Sequence, residues 1–328
     1  MMMKKKLLFT TTVLCFIFLT SIEISAQKFP SAEENIPYFI TFGPKAETSW
    51  GDDDFSQTFF FLIPEAFTEP VYIRVFDPDC GGEIDELNGT FNTRMVFAVY
   101  GGTGCYSHPD AKGVDPVGEY KSGNLLATRT FGINPQTDNN WFTFGPFNPT
   151  EGEYVEMFGG YILKLIVDGV AGDDGNLYRF FLSTKPEENI EVEGGNAFAH
   201  EYAFRMHDDP TEVSHIYPYI DDATITLKQA NFDWDSDGFI RTVSVARRGQ
   251  MSKVSGEDNW VETEFKILEA EKNTSFDIQL IKRKSPVVKN NNVVIWVKNQ
   301  RGESLPFVSI PIGGVPKFNY SISAEPID

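Results

Sequence analysis

Short runs in which apolar and polar residues alternate recur along this chain, cut by Pro, Gly and Asn. This pattern constrains the fold most. Val71, Ile73 and Val75 alternate with Tyr72, Arg74 and Phe76; Tyr161, Leu163, Leu165 and Val167 share one face, with Lys164 on the other. In the second half Ile225 and Leu227 alternate with Thr224, Thr226 and Lys228. Successive side chains of a strand point to opposite faces, so such runs bury one side of a sheet. Strands are expected over 38–42, 56–63, 71–76, 93–100, 125–131, 141–144, 161–167 and 177–182. A second set is expected over 199–206, 223–232, 239–246, 260–268, 275–281, 293–297 and 305–310. Long helical periodicity is hard to find on either side, so the expected class is all-β, with antiparallel strands packed as sandwiches. The 29 Phe are expected to fill the space between sheets.

The stretch Lys185-Pro186-Glu187-Glu188-Asn189-Ile190-Glu191-Val192-Glu193-Gly194-Gly195 is acidic and poor in apolar residues. It is expected to be a linker over 187–195 between two tandem β-sandwich domains, 37–186 and 196–328. Residues 1–26 have the parts of a signal peptide: Lys4, Lys5 and Lys6, an apolar run from Leu7 to Leu19, and Ser25-Ala26 before Gln27. Cleavage there removes three Lys and one Glu, taking the net charge from −19 to −21. Such acidity speaks against nucleic acid, which asks for a basic stripe, and against docking on an anionic membrane. The expected location is secreted or periplasmic, with no transmembrane span after cleavage. Cys80 and Cys105 then remain, as a disulfide or as two buried thiols.

The acids cluster in loops beside strands. One loop carries Asp52, Asp53 and Asp54; the next carries Asp77, Asp79 and Asp85; a third runs from Asp168 to Asn176 and includes Asp173 and Asp174. If successive strands alternate in direction, these three loops share one end of the sandwich. A hidden strand between Gly101 and Lys121 would break that parity, and a Cys80–Cys105 disulfide stands in tension with it. A fourth loop, Asp233-Trp234-Asp235-Ser236-Asp237-Gly238, matches the first half of an EF-hand loop. The position of the EF-hand glutamate is Ser244 and the flanks read as strands, so further ligands would have to come from elsewhere, for example Asp208 and Asp209. Crowded carboxylates with Gly and Asn suit a hard cation that takes six to eight oxygen ligands, so Ca2+ is the expected cofactor. A metal-free Asx turn is the other reading of the fourth loop.

Trp50-Gly51-Asp52-Asp53-Asp54, Arg74-Val75-Phe76-Asp77-Pro78-Asp79 and Val99-Tyr100-Gly101-Gly102 resemble C2-like calcium-binding sandwiches of exported bacterial envelope proteins. Asp168 to Tyr178 fits the same picture. The resemblance covers 38–182 and, more loosely, the second half. It implies a C2-like or jelly-roll-like fold and calcium at loop ends. Some such modules precede an outer-membrane-protein-A-type peptidoglycan-binding domain. That domain is not recognisable in this sequence, so wall attachment does not carry over.

No Gly-x-Ser-x-Gly elbow, His-Glu-x-x-His helix or phosphate loop occurs. His200, His207 and His215 fit no familiar zinc spacing. No catalytic residue is nominated. The expected function is a non-catalytic calcium-binding structural, adhesive or envelope-associated protein, with an envelope protein or polysaccharide as partner. Alternatives are a carbohydrate-binding accessory protein and a hydrolase built on a carboxylate pair.

Overall fold

The computed structural model describes residues 28–112 and 114–313. The expected signal peptide lies outside the described residues. Within them the protein is all-β and antiparallel, and helical structure is limited to short 3-10 turns. No helix among the described residues is long and apolar enough to cross a membrane.

Two large sheets form the body. Across the first run Trp260–Lys266, Thr226–Phe232, Asn292–Asn299, Glu201–Arg205, Tyr38–Phe42, Gly175–Ser183, Val71–Phe76 and Trp141–Phe147, with Lys28–Phe29 added to Gly175–Ser183. Across the second run Phe307–Val308, Asn196–Ala199, Ser56–Pro64, Gly160–Ala171, Arg94–Gly101 and Asn124–Phe131, with Glu153–Val155 beside Gly160–Ala171. Alternation along the strands sends Phe39, Tyr178 and Phe180 of the first sheet against Phe59 and Phe97 of the second. Their rings meet at 4.7 Å (Phe59–Phe180), 4.8 Å (Phe39–Phe59) and 5.5 Å (Phe97–Tyr178). These aromatics build the core expected of the Phe-rich sequence.

The strands are not partitioned at 187–195. Asn196–Ala199 pairs with Ser56–Pro64, and Glu201–Arg205 pairs with both Tyr38–Phe42 and Asn292–Asn299. Each large sheet thus draws strands from both sides of the expected linker, and Val192 within it is fully buried. The expected strand over 199–206 is two strands: the chain passes from one sheet to the other at His200, placing that residue at a corner of the sandwich. A four-stranded sheet (Val213–Ile216, Asp277–Lys282, Gly238–Val243 and Gln250–Ser252) and a two-stranded one complete the described fold.

Cys80 and Cys105 are both free and buried. The Cys105 thiol lies 3.3 Å from the Ile162 carbonyl, on the outer face of the second sheet, while Cys80 sits among the acids of its loop. The segment after Gly101 consists of turns and a 3-10 turn, Pro109–Lys112, in its described residues.

Candidate calcium-binding loops

Three of the acidic loops lie at one end of the first sheet. Gly175 faces Phe42, and Arg179 faces Phe76, so the ends of Tyr38–Phe42 and Val71–Phe76 meet the start of Gly175–Ser183. The Gly43 N–H also donates to the Asp174 carbonyl at 3.0 Å. Their carboxylates nevertheless have different fates.

Asp52 is buried and accepts N–H groups from Phe42 (3.0 Å), Asp54 (3.2 Å) and Phe55 (2.8 Å). Burial nonetheless pushes its pKa up to about 7. Asp53 accepts the Trp260 indole N–H at 2.8 Å, and Asp54 accepts the Ser56 N–H at 2.9 Å. Asp54 faces a cavity of about 20 Å³ together with Glu201. Burial, and then the neighbouring charge of Asp54, raises Glu201 well above the carboxylate range. Glu201 was not singled out in the sequence because it lies in a strand, away from the acidic loops.

Asp168 belongs to the strand Gly160–Ala171, opposite Ser56 and Val96, and not to the loop. The ladder persists past Val167 until the register shifts near Arg94 and Met95. Its carboxylate accepts the Ser56 hydroxyl at 2.7 Å and pairs with Lys121 at 2.8 Å. Asp173 and Asp174 form the tip of the turn that follows, where the chain passes from the second sheet to the first. Gly172, at φ +89°, has no room for a Cβ, which would lie 2.3 Å from Thr93. That closeness brings the tip onto the 88–93 segment. Asp174 accepts three backbone N–H groups, from Asn88 (2.9 Å), Asn92 (2.7 Å) and Thr93 (3.1 Å). Asp173 accepts the Asn92 and Asn88 side-chain amides at 2.7 and 3.2 Å.

The 77–85 loop differs. Asp77, in the left-handed region at φ 57°, accepts the Asn139 N–H on Oδ1 at 2.9 Å. Asp79 accepts the Asn134 N–H on Oδ2 at 3.0 Å. Asn176 donates to the Pro78 carbonyl at 3.0 Å. Each side chain is anchored through one atom, and in each the other oxygen is buried with no partner in the protein: Asp77 Oδ2, Asp79 Oδ1 and Asn176 Oδ1. A buried acceptor left bare is costly, and most such atoms in folded proteins have a partner. Burial raises Asp77 to about 7, with Asp79 and Asp138 adding to the shift and Arg179 opposing it. Burial also raises Asp79; the Asn134 N–H tempers the shift and Asp138 adds to it. Asp138 reaches across Gly82, where a Cβ would stand 2.1 Å from Oδ1. Asp85 is satisfied by the N–H groups of Leu177 and Gly81, both at 2.7 Å.

The fourth loop wraps the fully buried Trp234, with Asp233, Asp235 and Ser236 all at positive φ. Asp237 is buried 3.4 Å from the buried Lys282 ammonium, which balances its charge. Asp233 accepts the Asp258 N–H at 2.5 Å, and burial raises it to about 7. Asp235 is raised in the same direction by burial and by Glu257. Asp209 caps Thr211 and is directed elsewhere, while Asp208 does come beside the loop, 3.8 Å from the same Lys282 ammonium that faces Asp237. His200, His207 and His215 each have a separate partner: the Ser304 carbonyl, the Asn35 carbonyl and Asp277.

Among the described residues, no three His, Cys, Asp or Glu side chains converge as a metal-holding group. The bare set at 77–79 and 176 is two carboxylates and one amide oxygen. These are hard donors that suit calcium and not zinc, and waters or backbone carbonyls would have to complete the shell. Asn176 and Asp138 were not nominated from the sequence. The first is a neutral residue at the end of an acidic run, where the carboxylates dominate the signal; the second lies in the 132–140 turn, which carries a single acid. Comparison with known families and with curated proteins finds no match to this chain.

Proposed function

We propose that this is an exported, non-catalytic protein with a structural or adhesive role in the cell envelope, whose sandwich is rigidified by calcium at the 77–85 loop. The observation that carries the reading is the trio of buried, unpartnered oxygens on Asp77, Asp79 and Asn176. A bound cation supplies the partner these oxygens lack and offsets the crowding of Asp77, Asp79 and Asp138. Because it binds the native state alone, it adds stability by mass action. The N-terminal charged and apolar segments support export, and the acidic composition suits an extracytoplasmic protein that avoids nucleic acid. The small cavity between Asp54 and Glu201 has room for about one water, too little for a sugar ring, so that carboxylate pair does not serve a glycoside hydrolase. The test is calcium titration of the full chain beside Asp77→Asn and Asp79→Asn. Loss of binding in the variants is expected; unchanged binding refutes the assignment.

A further inference from the structure

The short strand Lys28–Phe29 lies against Gly175–Ser183, with Lys28 opposite Phe181 and Phe29 opposite Phe180. Phe29 is fully buried, its ring 4.9 Å from Phe39 and 5.6 Å from both Phe59 and Tyr202. That ring pins Lys28 to the sheet. Side chains alternate along a strand, so Lys28 shares the outer face with Phe181 and Arg179.

Two cations therefore stand close together. The Arg179 guanidinium lies between Tyr38 and Phe76, 4.8 and 4.6 Å from their ring centres. Its Nε is buried with no partner. Burial, and then the Arg179 charge, lowers the pKa of Lys28. Among the described residues neither cation forms an ion pair with an acid; Asp77 feels the Arg179 charge from beyond ion-pair distance.

Gln27 precedes this pair, and cleavage after Ala26 makes it the terminal residue. A terminal glutamine carries a nucleophile and an electrophile in one residue. Its α-amine attacks the side-chain carboxamide carbon. A C–N bond forms and closes a lactam ring, the bond to the amide nitrogen breaks, and ammonia leaves with a proton from the amine. Only the unprotonated amine attacks. Nearby positive charge disfavours the protonated form of an amine, so Lys28 and Arg179 favour the reacting species. The lactam is uncharged, which spares this face a third cation. We propose that the mature N-terminus is a pyroglutamate, formed at Gln27 and promoted by the Lys28–Arg179 pair. The proposal rests on export with cleavage before Gln27 and is independent of calcium. A blocked terminus denies aminopeptidases the amine they recognise, at a strand whose Phe29 belongs to the core.

Mass spectrometry of the N-terminal peptide, from full-length protein exported by its own leader, tests the modification. The expected peptide begins at residue 27, is lighter than the glutamine form by one ammonia, and resists Edman degradation. A peptide that begins at Gln27 with a free amine overturns the proposal and leaves export standing. A chain that retains residues 1–26, or is cut elsewhere, overturns the cleavage reading and the proposal with it. The part played by the cations is a rate. A protease frees Gln27 from a replacement leader at pH about 7, near the ordinary α-amino pKa, and loss of the free amine is followed in the folded chain. Arg179→Met keeps bulk between the two rings and should slow cyclisation about twofold or more, while Arg179→Lys should hold the wild-type rate. Lys28→Met should slow it as well, which covers the case of an Arg179 variant that does not fold. Equal rates in wild type and both methionine variants would leave an ordinary terminal glutamine and overturn the proposal.

Discussion

The 77–85 loop and the turn at Asp173 and Asp174 look alike in sequence: paired Asp residues and glycines beside a strand. Their carboxylates end in opposite conditions. Asp174 is buried against three backbone N–H groups, and Asp173 is held by two side-chain amides. Asp77 and Asp79 are also buried, yet each uses one oxygen and leaves the other bare. What separates a staple from a candidate ligand is the supply of donors, and that supply comes from residues far along the chain. The fourth loop adds a third outcome, in which a buried lysine balances the acid.

Each contrast can be broken by substitution. Asp237→Ala should have the largest effect, because it takes the buried carboxylate from the Lys282 ammonium, which keeps only the Val288 carbonyl at 2.6 Å and the more exposed Asp208 at 3.8 Å; a loss of about 3 kcal/mol or more is expected. Chemical denaturation should give the same loss in calcium and in chelator, and Lys282→Met in the same chain should recover most of it. A calcium-dependent loss would make Asp237 a ligand instead. Asp174→Ala removes the acceptor for three N–H groups and should cost about 3 kcal/mol, again without altering the response to calcium. Local hydrogen exchange should rise at Asn88, Asn92 and Thr93.

A raised pKa does not by itself mark a cation site, and Glu34 sharpens that point. It is fully buried, accepts the Ser31 N–H at 2.6 Å and the Tyr202 hydroxyl at 2.5 Å, and is pushed up to about 7 by burial. Its folded pKa lies above the ordinary value of 4.5. Its contribution to stability is therefore complete below pH about 4.5 and is lost as pH rises through about 7. In chelator, Tm should fall across that window, and Glu34→Gln should flatten part of the fall whether or not calcium is present. A Glu34→Gln profile that matches wild type would remove Glu34 from the account. Lys121→Ala should have the smallest effect. Lys121 is half exposed, and Asp168 keeps its Ser56 hydroxyl, so about 1 kcal/mol or less is expected from thermal unfolding.

Strand alternation made the all-β class readable, and the Phe content announced the core. The acidic loops were equally visible; their gathering at one end followed only if successive strands alternate in direction, and Asp168 lies in a strand and not in its loop. Hydrogen-bond donors were not visible: that Asp174 meets the 88–93 segment, or Asp237 meets Lys282, depends on pairings across long sequence separations. The tertiary role of 187–195 was hidden for a related reason. Its acidic, Gly-containing composition reads as a linker, but the strands on either side of it pair across both large sheets. His200 was hidden too, because a strand run of uniform character gives no sign that the chain changes sheets within it.

The central claim is that the bare oxygens of the 77–85 loop are calcium ligands and the saturated ones of the Asp173–Asp174 turn are not. The most direct measurement is the Tm of wild type, Asp77→Asn/Asp79→Asn and Asp173→Asn in chelator and in excess calcium at pH about 7.5. Wild type and Asp173→Asn should gain several degrees in calcium, and the double variant should gain none. Superimposable wild-type curves in chelator and calcium, or a calcium gain retained by the double variant, would contradict the claim.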